Sequence, residues 1–331
     1  MIRFSSSNAI LLGLGASFLA VSTIVACSAG PGESKNKGGD GDGDGDINPG
    51  DGDGDIFGDG DINPDEGTGG SGENDPDKEC DTTIELVVRD FQASHVDFEA
   101  VYRGRDDVGC GMVMPDLLIS ADGVRTPLFQ AGNGTGQRQI NQTTGEITCN
   151  PWGIVPEPTE GPEIASEASF NEWYSDVEGV NMRFSHFLEL EPSANGETYF
   201  YDSAPGRFFP ADGQGFNDLI DSRGSQHNFH FTTEAHVTFG YHGGERFTFS
   251  GDDDMWIFVN GKLALDLGGL HAPLSATIDF DAQAEALGLT LGKVYNMDIF
   301  HAERHTDDSN YRIETNIKCF ETVVVPPVVV R

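Results

Sequence analysis

Three consecutive aspartates, Asp252 to Asp254, are the residues of this chain best placed to do chemistry. They stand directly before Met255–Val259, a run that is apolar on both faces of a strand, and Asn260-Gly261 follows. An Asn-Gly pair between two apolar runs predicts a two-residue hairpin turn, with Leu263–Leu267 as the returning strand. Two unit charges about 4 Å apart repel by roughly 4 kcal/mol at an effective dielectric of about 20. A hairpin that fixes three carboxylates this closely therefore favours a bound hard cation.

The segments that must position these aspartates have the pattern of an all-β protein. Short runs with period-two alternation are separated by Gly, Pro, Asn and Asp, which is typical of an antiparallel sandwich or barrel. The further strand candidates are Ile84–Phe91, Phe229–Phe231, Val237–Tyr241, Phe247–Phe249, Tyr295–His301 and Asn310–Ile317. Only Phe170–Tyr174 and Gln283–Gly288 suggest helix, each of one or two turns. We therefore expect one folded domain at 80–320.

The first residues predict export. Arg3 precedes an apolar stretch, Ala9–Ala26, which indicates a secretory signal rather than a spanning helix because it ends in Ile24-Val25-Ala26-Cys27. Small residues before a cysteine resemble a lipoprotein signal, so residues 1–26 are expected to be cleaved and Cys27 to carry the lipid anchor, palmitate included. An ordinary signal peptide with an incidental cysteine is the alternative. Ser28 after the cysteine favours an outer-membrane lipoprotein, facing the periplasm or the cell surface.

Residues 27–79 form an acidic Gly/Asp-rich linker that cannot bury a core, so we expect it to be a disordered tether. Its repeats echo the start of an EF-hand loop, but the glutamate at loop position 12 and the flanking helices are missing. The whole chain carries a formal charge of −36. Nucleic acid is therefore excluded as a partner, because phosphate binding needs a basic surface.

Four cysteines remain after Cys27, and an even number in an exported chain predicts two disulfides with three possible pairings. We favour Cys80–Cys319, which would join the ends of the domain, and Cys110–Cys149 within it. A zinc site is the alternative, but no CxxC spacing supports it.

Several ordered blocks resemble the fibro-slime domain, from about Ile84 to Lys318. The blocks are VVRDFQASHVDFE, FNEWYSDVEGVN, FFPADGQGF, HNFHFTTEAHVTFGY, GDDDMWIFVNGKLALDLGGLH and FHAERHTDDSNYRIET. One departure is Val96, where the family more often has proline. The fibro-slime domain is in turn similar to the protective-antigen-type β-barrel of lectins and adhesins. The resemblance implies an antiparallel β-sandwich or barrel of that type. The tail at 321–331 is too short to span a bilayer and is interrupted by prolines, so we expect a ragged end.

The same resemblance implies a calcium site. In lectins of this type, two aspartates joined by a cis peptide bond hold one calcium that also ligates sugar hydroxyls, and Asp252 and Asp253 align with that pair. A second loop, 304–309, would complete the shell with Asp307, Asp308 and Asn310, whose oxygens suit calcium. The alternative is that both aspartate clusters are solvated loop caps.

Further residues are expected around the ligand. The rim candidates are Asp254, which stands where the family usually has glycine, His271, His305 and Tyr311, with Tyr311 as a stacking residue. Trp256 adjoins the aspartates but alternates with apolar residues, which favours the core.

A rival metal site lies on one strand. His301, Glu303 and His305 alternate, so they would share a face, and two histidines with a glutamate can bind zinc. The alternative is that these residues form the solvent-exposed polar face of the strand.

These observations predict an exported, lipid-anchored protein with a calcium-dependent carbohydrate-binding or adhesion domain, whose partner is a glycan or polysaccharide. The alternative is a structural component of extracellular slime or envelope with a purely structural calcium. Enzyme activity is not expected, because no nucleophile elbow, P-loop or dinucleotide fingerprint is present. Glycoside hydrolysis is the least favoured alternative, since no acid/base pair is recognisable in the sequence.

Overall fold

The computed structural model describes residues 82–99, 108–130, 136–150, 164–204, 207–216 and 219–330. The predicted signal peptide at 1–26, the lipid anchor Cys27, the linker at 27–79 and Cys80 lie outside the described residues. Among the described residues no helix is both long enough and apolar enough to cross a bilayer.

Nearly all regular structure is strand, as the alternation predicted. The strands are β1 Thr83–Phe91, β2 Val108–Cys110, β3 Leu118–Ile119, β4 Arg125–Thr126, β5 Gly136–Ile140, β6 Ile147–Asn150, β7 Asp176–Val177, β8 Asn181–Glu189, β9 Glu191–Pro192, β10 Tyr199–Asp202, β11 Leu219–Ile220, β12 Gln226–His227, β13 Phe231–Tyr241, β14 Arg246–Gly251, β15 Asp254–Val259, β16 Lys262–Leu267, β17 Leu274–Asp279, β18 Lys293–Glu303, β19 Tyr311–Thr315, β20 Glu321–Thr322 and β21 Val329–Val330. The helices are α1 Glu167–Asn171 and α2 Phe280–Leu287.

Two antiparallel sheets share one core, which confirms the predicted all-β class with two short helices. The larger sheet has the order β16-β15-β18-β13-β1-β8, with β20 also pairing β13, and the smaller has the order β17-β14-β19-β10-β9. Alternate residues of both sheets face the same apolar cluster, such as Val88 and Phe239 from the larger sheet and Phe249 and Ile313 from the smaller. Consecutive strands β14 and β15 lie in different sheets, so the chain crosses between the sheets at Asp252 and Asp253.

The predicted hairpin is present. Strands β15 and β16 pair across Asn260-Gly261, and both turn residues have positive φ, 53° and 74°. Two consecutive positive φ angles define the hairpin turn that Asn-Gly favours.

Strand β15 of the larger sheet is buried on both faces, as the all-apolar run Met255–Val259 predicted. The outer face of this sheet carries Trp256 and Phe300, which pack against Phe170 and Trp173 from the segment around α1. All six residues of β15 are buried. Trp256 is therefore a core residue, as expected.

Both helices begin a few residues before the segments that suggested them, because each follows an N-cap that accepts from the first turn. The Ser166 side chain accepts from the Ser169 N–H, and the Asp279 side chain accepts from the Ala282 N–H. An N-cap fixes where a helix starts more strongly than the apolar pattern does.

The predictions for the disulfides and for the C-terminal tail have different outcomes. Cys110 and Cys149 form a disulfide, as favoured, with their Cα atoms 6.0 Å apart. The Cys80–Cys319 pairing stays a prediction, because Cys80 lies outside the described residues. The tail at 321–331 contains two short strands, of which β20 pairs with β13 and β21 pairs with β7.

Candidate functional site

A pocket of about 330 Å³ lies where the β14–β15, β16–β17 and β18–β19 connections meet. We call it the ligand pocket, and residues 304–310 between β18 and β19 the ligand loop. The described lining residues are Asp252, Asp253, Leu270, His271, Ala272, Pro273, Glu303, His305, Thr306, Asp307, Asp308 and Asn310. The two predicted aspartate loops therefore meet in one cavity.

Asp252 joins the two loops directly. Its Oδ1 accepts the main-chain N–H of Asn310 at 2.6 Å, and its Oδ2 accepts from Asn310 Nδ2 at 2.8 Å. Burial raises the pKa of Asp252 to about 6, although the hydrogen bonds from Asn310 act in the opposite direction. The Asp252–Asp253 peptide bond is cis, the geometry that the resemblance implied for this pair.

Asp253 lies deeper in the pocket and is 5% exposed. Its Oδ2 accepts the main-chain N–H of Arg304 at 3.2 Å, and its Oδ1 lies 3.4 Å from the main-chain nitrogen of His271. Burial raises the pKa of Asp253, and the charges of Asp254 and Asp252 add to this effect while Arg304 opposes it. The positive charge and hydrogen bonds that the protein supplies are therefore not enough to offset the burial of the ionised Asp253 carboxylate.

Glu303, the last residue of β18, contributes a third buried carboxylate and is 1% exposed. Its Oε1 accepts the main-chain N–H of His305 at 3.3 Å, while its buried Oε2 has no hydrogen-bond partner. Burial and the charges of Asp253 and Asp252 raise the pKa of Glu303 well above its ordinary value. The alternating pattern around Glu303 is visible in the sequence, but it predicts a zinc set rather than a place in this pocket.

The carboxylates of Asp307 and Asp308 are held by the β11–β12 hairpin. Asp307 accepts from the Ser222 N–H at 2.7 Å and from its hydroxyl at 2.9 Å. Asp308 forms an ion pair with Arg223 at 2.5 Å. Both residues line the pocket, so they can serve as ligands only if these contacts are exchanged, and their role stays a prediction.

His271 and His305 line the pocket, where they were expected as rim residues. His271 is buried, and its ring nitrogens lie 2.8 Å from the Leu267 carbonyl oxygen and 3.0 Å from that of Ala272. Burial lowers the pKa of His271 to about 4, so the ring is neutral near pH 7 and donates through one nitrogen at a time. His305 is exposed, and its ring nitrogens lie 2.9 Å from the Thr306 carbonyl oxygen and 3.7 Å from Glu99 Oε2.

Two rim expectations are wrong. Asp254 is fully buried, and its carboxylate accepts from Arg304 Nε at 2.6 Å and from the Gly269 N–H at 2.6 Å, so it faces inward. Tyr311 is 1% exposed, and its ring stacks on Phe208 with the centroids 4.3 Å apart. Asp254 faces inward because it pairs with the buried Arg304 guanidinium. Tyr311 is buried because its ring packs among the aromatic side chains of the core.

The rival zinc set is not assembled. His301 is wholly buried, and its Nε2 donates to the main-chain oxygen of Asp252 at 2.9 Å, whereas His305 is exposed beyond the end of the strand. Among the described residues, only Cys110, Cys149 and Asp266 bring three Cys, His, Asp or Glu ligand atoms within 4.8 Å of one another, and the two cysteines form a disulfide.

The chemistry of the pocket suits a hard cation. Carboxylate, amide and main-chain oxygens are the ligands that calcium takes, six to eight of them at about 2.3–2.6 Å. The carboxylates of Asp252, Asp253 and Glu303 supply the charge, and Asn310, whose Nδ2 donates to Asp252, can supply its amide oxygen. Because the carboxylates are not all within ligand distance of one another, amide, main-chain and water oxygens would supply the remaining ligands.

Residues 214–320 match the family model of the PA14 domain, and this match contains the aspartate triplet and the ligand loop. Proteins psiD, psiR and psiC of Dictyostelium discoideum are 37%, 35% and 41% identical to this chain over 70%, 63% and 48% of its length. The chain spans only 39%, 22% and 31% of the lengths of these three relatives.

Among solved structures, the chain is similar to the PA14 sugar-binding domain from an RTX adhesin, with 15% identity and a TM-score of 0.22. The match covers 39% of this chain and 76% of the adhesin chain. Membership of the fibro-slime family stays a prediction.

Proposed function

We propose that this chain is an exported binding protein whose ligand pocket holds one calcium ion, and that calcium and the pocket rim bind the hydroxyl groups of a glycan. One observation carries the proposal: Asp252, Asp253 and Glu303 place three buried carboxylates in one pocket, and its described lining residues include no lysine or arginine. Buried charges are normally paired or coordinate a metal.

The basic side chains near the pocket already pair with other carboxylates. Arg304, the nearest buried base, is engaged by Asp254 through two nitrogens, and Arg223 is engaged by Asp308. Protonation of the carboxylates is the other way to remove their repulsion. A divalent cation relieves the repulsion at neutral pH while every carboxylate stays ionised.

The shape of the pocket supports a sugar ligand beside the ion. Leu270, Ala272 and Pro273 give the same pocket an aliphatic wall, and Ala272 and Pro273 are exposed. An apolar surface next to a few convergent polar groups is typical of small-molecule sites. No phenylalanine, tyrosine or tryptophan side chain is among the described lining residues, so we propose that a sugar would rest on this aliphatic wall rather than stack on a large aromatic ring.

The PA14 match supports the same proposal, because the resemblance to protective-antigen-type lectins implies calcium-mediated sugar binding at Asp252 and Asp253. We propose a role in adhesion or matrix binding rather than catalysis. In this proposal the lipid on Cys27 anchors the protein in the outer membrane, and the acidic linker at 27–79 holds the domain away from the lipid surface.

A glycan array, run with calcium and with a chelator, tests the function. We expect chelator-sensitive binding of a glycan by the wild type, and its loss in Asp253→Asn. The matched control is Asp122→Asn, an exposed aspartate in the β3–β4 turn. Calcium binding without binding of any sugar would instead support the structural slime or envelope role. Product release from polysaccharide would support a hydrolase.

A further inference from the structure

The ligand loop is held from outside the segment that matches the PA14 domain. Residues 92–99 follow β1 and precede the start of the match at residue 214. The Glu99 N–H donates to the Arg304 carbonyl oxygen at 2.8 Å. The Glu99 Oε1 accepts from the main-chain N–H of Thr306 at 2.9 Å and also from the Thr306 hydroxyl. Both the backbone and the side chain of Glu99 therefore form hydrogen bonds with the first half of the ligand loop.

The segment that carries Glu99 is itself fixed to the core. The buried carboxylate of Asp97 accepts from the Ala165 N–H at 2.6 Å and from Trp173 Nε1 at 3.0 Å. His230 adds a second support, because its Nε2 lies 2.9 Å from Glu99 Oε1. Phe98 packs against the rings of Trp173 and His230. Glu99 is thus attached to the core through His230 and through its neighbours Asp97 and Phe98.

We propose that Glu99 is a positioning residue of the ligand site, which sets the conformation of the ligand loop through Thr306 without touching the ligand. The inference rests on the proposed calcium site. Thr306 lines the pocket and precedes Asp307, and the same loop ends at Asn310, which binds Asp252. Fixing Thr306 fixes the path of the loop between these points and reduces the ordering that ligand binding must impose.

Partners that orient metal ligands typically account for about 10- to 100-fold in metal affinity. We therefore expect Glu99→Ala to weaken calcium binding by about tenfold or more. Glu99 has φ 55°, and alanine keeps the Cβ, so the substitution adds no new backbone constraint. Glu99→Gln keeps an oxygen that can accept from both donors of Thr306, and should retain most of the affinity.

Glu172→Ala is the matched control. Glu172 is 34% exposed against 36% for Glu99, and it pairs with His95 of the same segment at 3.0 Å, but it does not contact the ligand loop. Calcium titration by calorimetry on the full chain, with thermal unfolding in chelator for each variant, separates positioning from general stability.

A wild type that binds no calcium overturns the proposed function itself. A wild type that binds calcium, with Glu99→Ala binding equally well, overturns only the role of Glu99, as does an equal loss in Glu172→Ala. If Glu99→Ala fails to fold, Thr306→Val supplies a second test, because it removes only the hydroxyl donor. It should weaken calcium binding while thermal unfolding in chelator stays near that of the wild type, and unchanged affinity would contradict the proposal.

Discussion

Asp252 accepts two hydrogen bonds from Asn310, at 2.6 and 2.8 Å, across 58 residues of sequence. The contact joins the loop that leaves β14 to the loop that enters β19, and these strands are neighbours in the smaller sheet. The two halves of the acidic pocket are therefore held together by the protein before any ligand binds.

Gly251 allows this approach of the two loops. A Cβ at this position would collide with the Asn310 carbonyl oxygen and with the ring of Phe249. We expect Gly251→Ala to cost about 1–3 kcal/mol of unfolding free energy, as overpacking does, and to weaken calcium binding by moving Asn310 away from Asp252. Urea denaturation in chelator and calcium calorimetry measure the two effects. Ser250→Ala, at the preceding position, is the control, and equal behaviour of the two variants would refute the role of Gly251.

The buried Asp254–Arg304 pair is structural. Both side chains are 0% exposed, so neutralising the aspartate leaves a buried guanidinium without its counter-charge. We expect Asp254→Asn to lower the free energy of unfolding by about 3–5 kcal/mol. Asp202→Asn breaks an exposed pair with Arg312, in which the side chains are 43% and 39% exposed, and should cost about 1 kcal/mol or less. If Asp254→Asn and Asp202→Asn lose the same free energy of unfolding in urea denaturation, Arg304 has another counter-charge, and the structural role of the pair is refuted.

His236 makes stability depend on pH. Burial alone would lower its pKa, but the hydrogen bond to Asp298 at 2.8 Å and the charge of Glu234, 3.7 Å away, raise it to about 9. The folded state thus holds the proton more tightly than the unfolded state, whose histidine pKa is about 6.5. This stabilisation is complete below about pH 6.5 and is lost as the pH rises through about 9, on the order of 3 kcal/mol in all.

Urea denaturation between about pH 6 and about pH 9, in chelator, checks this linkage. The pocket carboxylates Asp252 and Asp253 have raised pKa values, so without a cation they also favour the folded state at lower pH. The difference between the wild type and His236→Gln therefore isolates the histidine. The control is His242→Gln, since that side chain is 57% exposed. A pH slope that is the same in His236→Gln as in the wild type would disprove the assignment.

Local patterns in the sequence predicted much of the fold and the centre of the site. Alternation identified the strands, Asn260-Gly261 identified the hairpin, and the resemblance paired Asp252 and Asp253 with Asn310. Tyr311 could also have been placed in the core, because it alternates with Ile313 on β19 and both face inward. The alternation along β19 is therefore a better guide to the position of Tyr311 than its closeness to the loop in sequence.

The remaining features depend on contacts that the sequence does not reveal. Asp254 faces inward because Arg304, fifty residues later, needs a buried counter-charge. Glu99 holds Thr306 across 207 residues, and no motif marks that pairing. Glu303 was visible as part of an alternating strand, but only the sheet order places its carboxylate beside Asp253.

Calcium titration of the wild type and of Asp253→Asn by calorimetry, at neutral pH, tests the central claim most directly. The claim predicts one calcium ion bound per wild-type chain, together with a rise in thermal stability, because an ion that binds only the folded state stabilises it. Asp253→Asn should lose this binding yet remain folded in chelator, since removing one of three buried charges relieves repulsion. No heat of binding by the wild type, or an unchanged titration of Asp253→Asn, would contradict the claim.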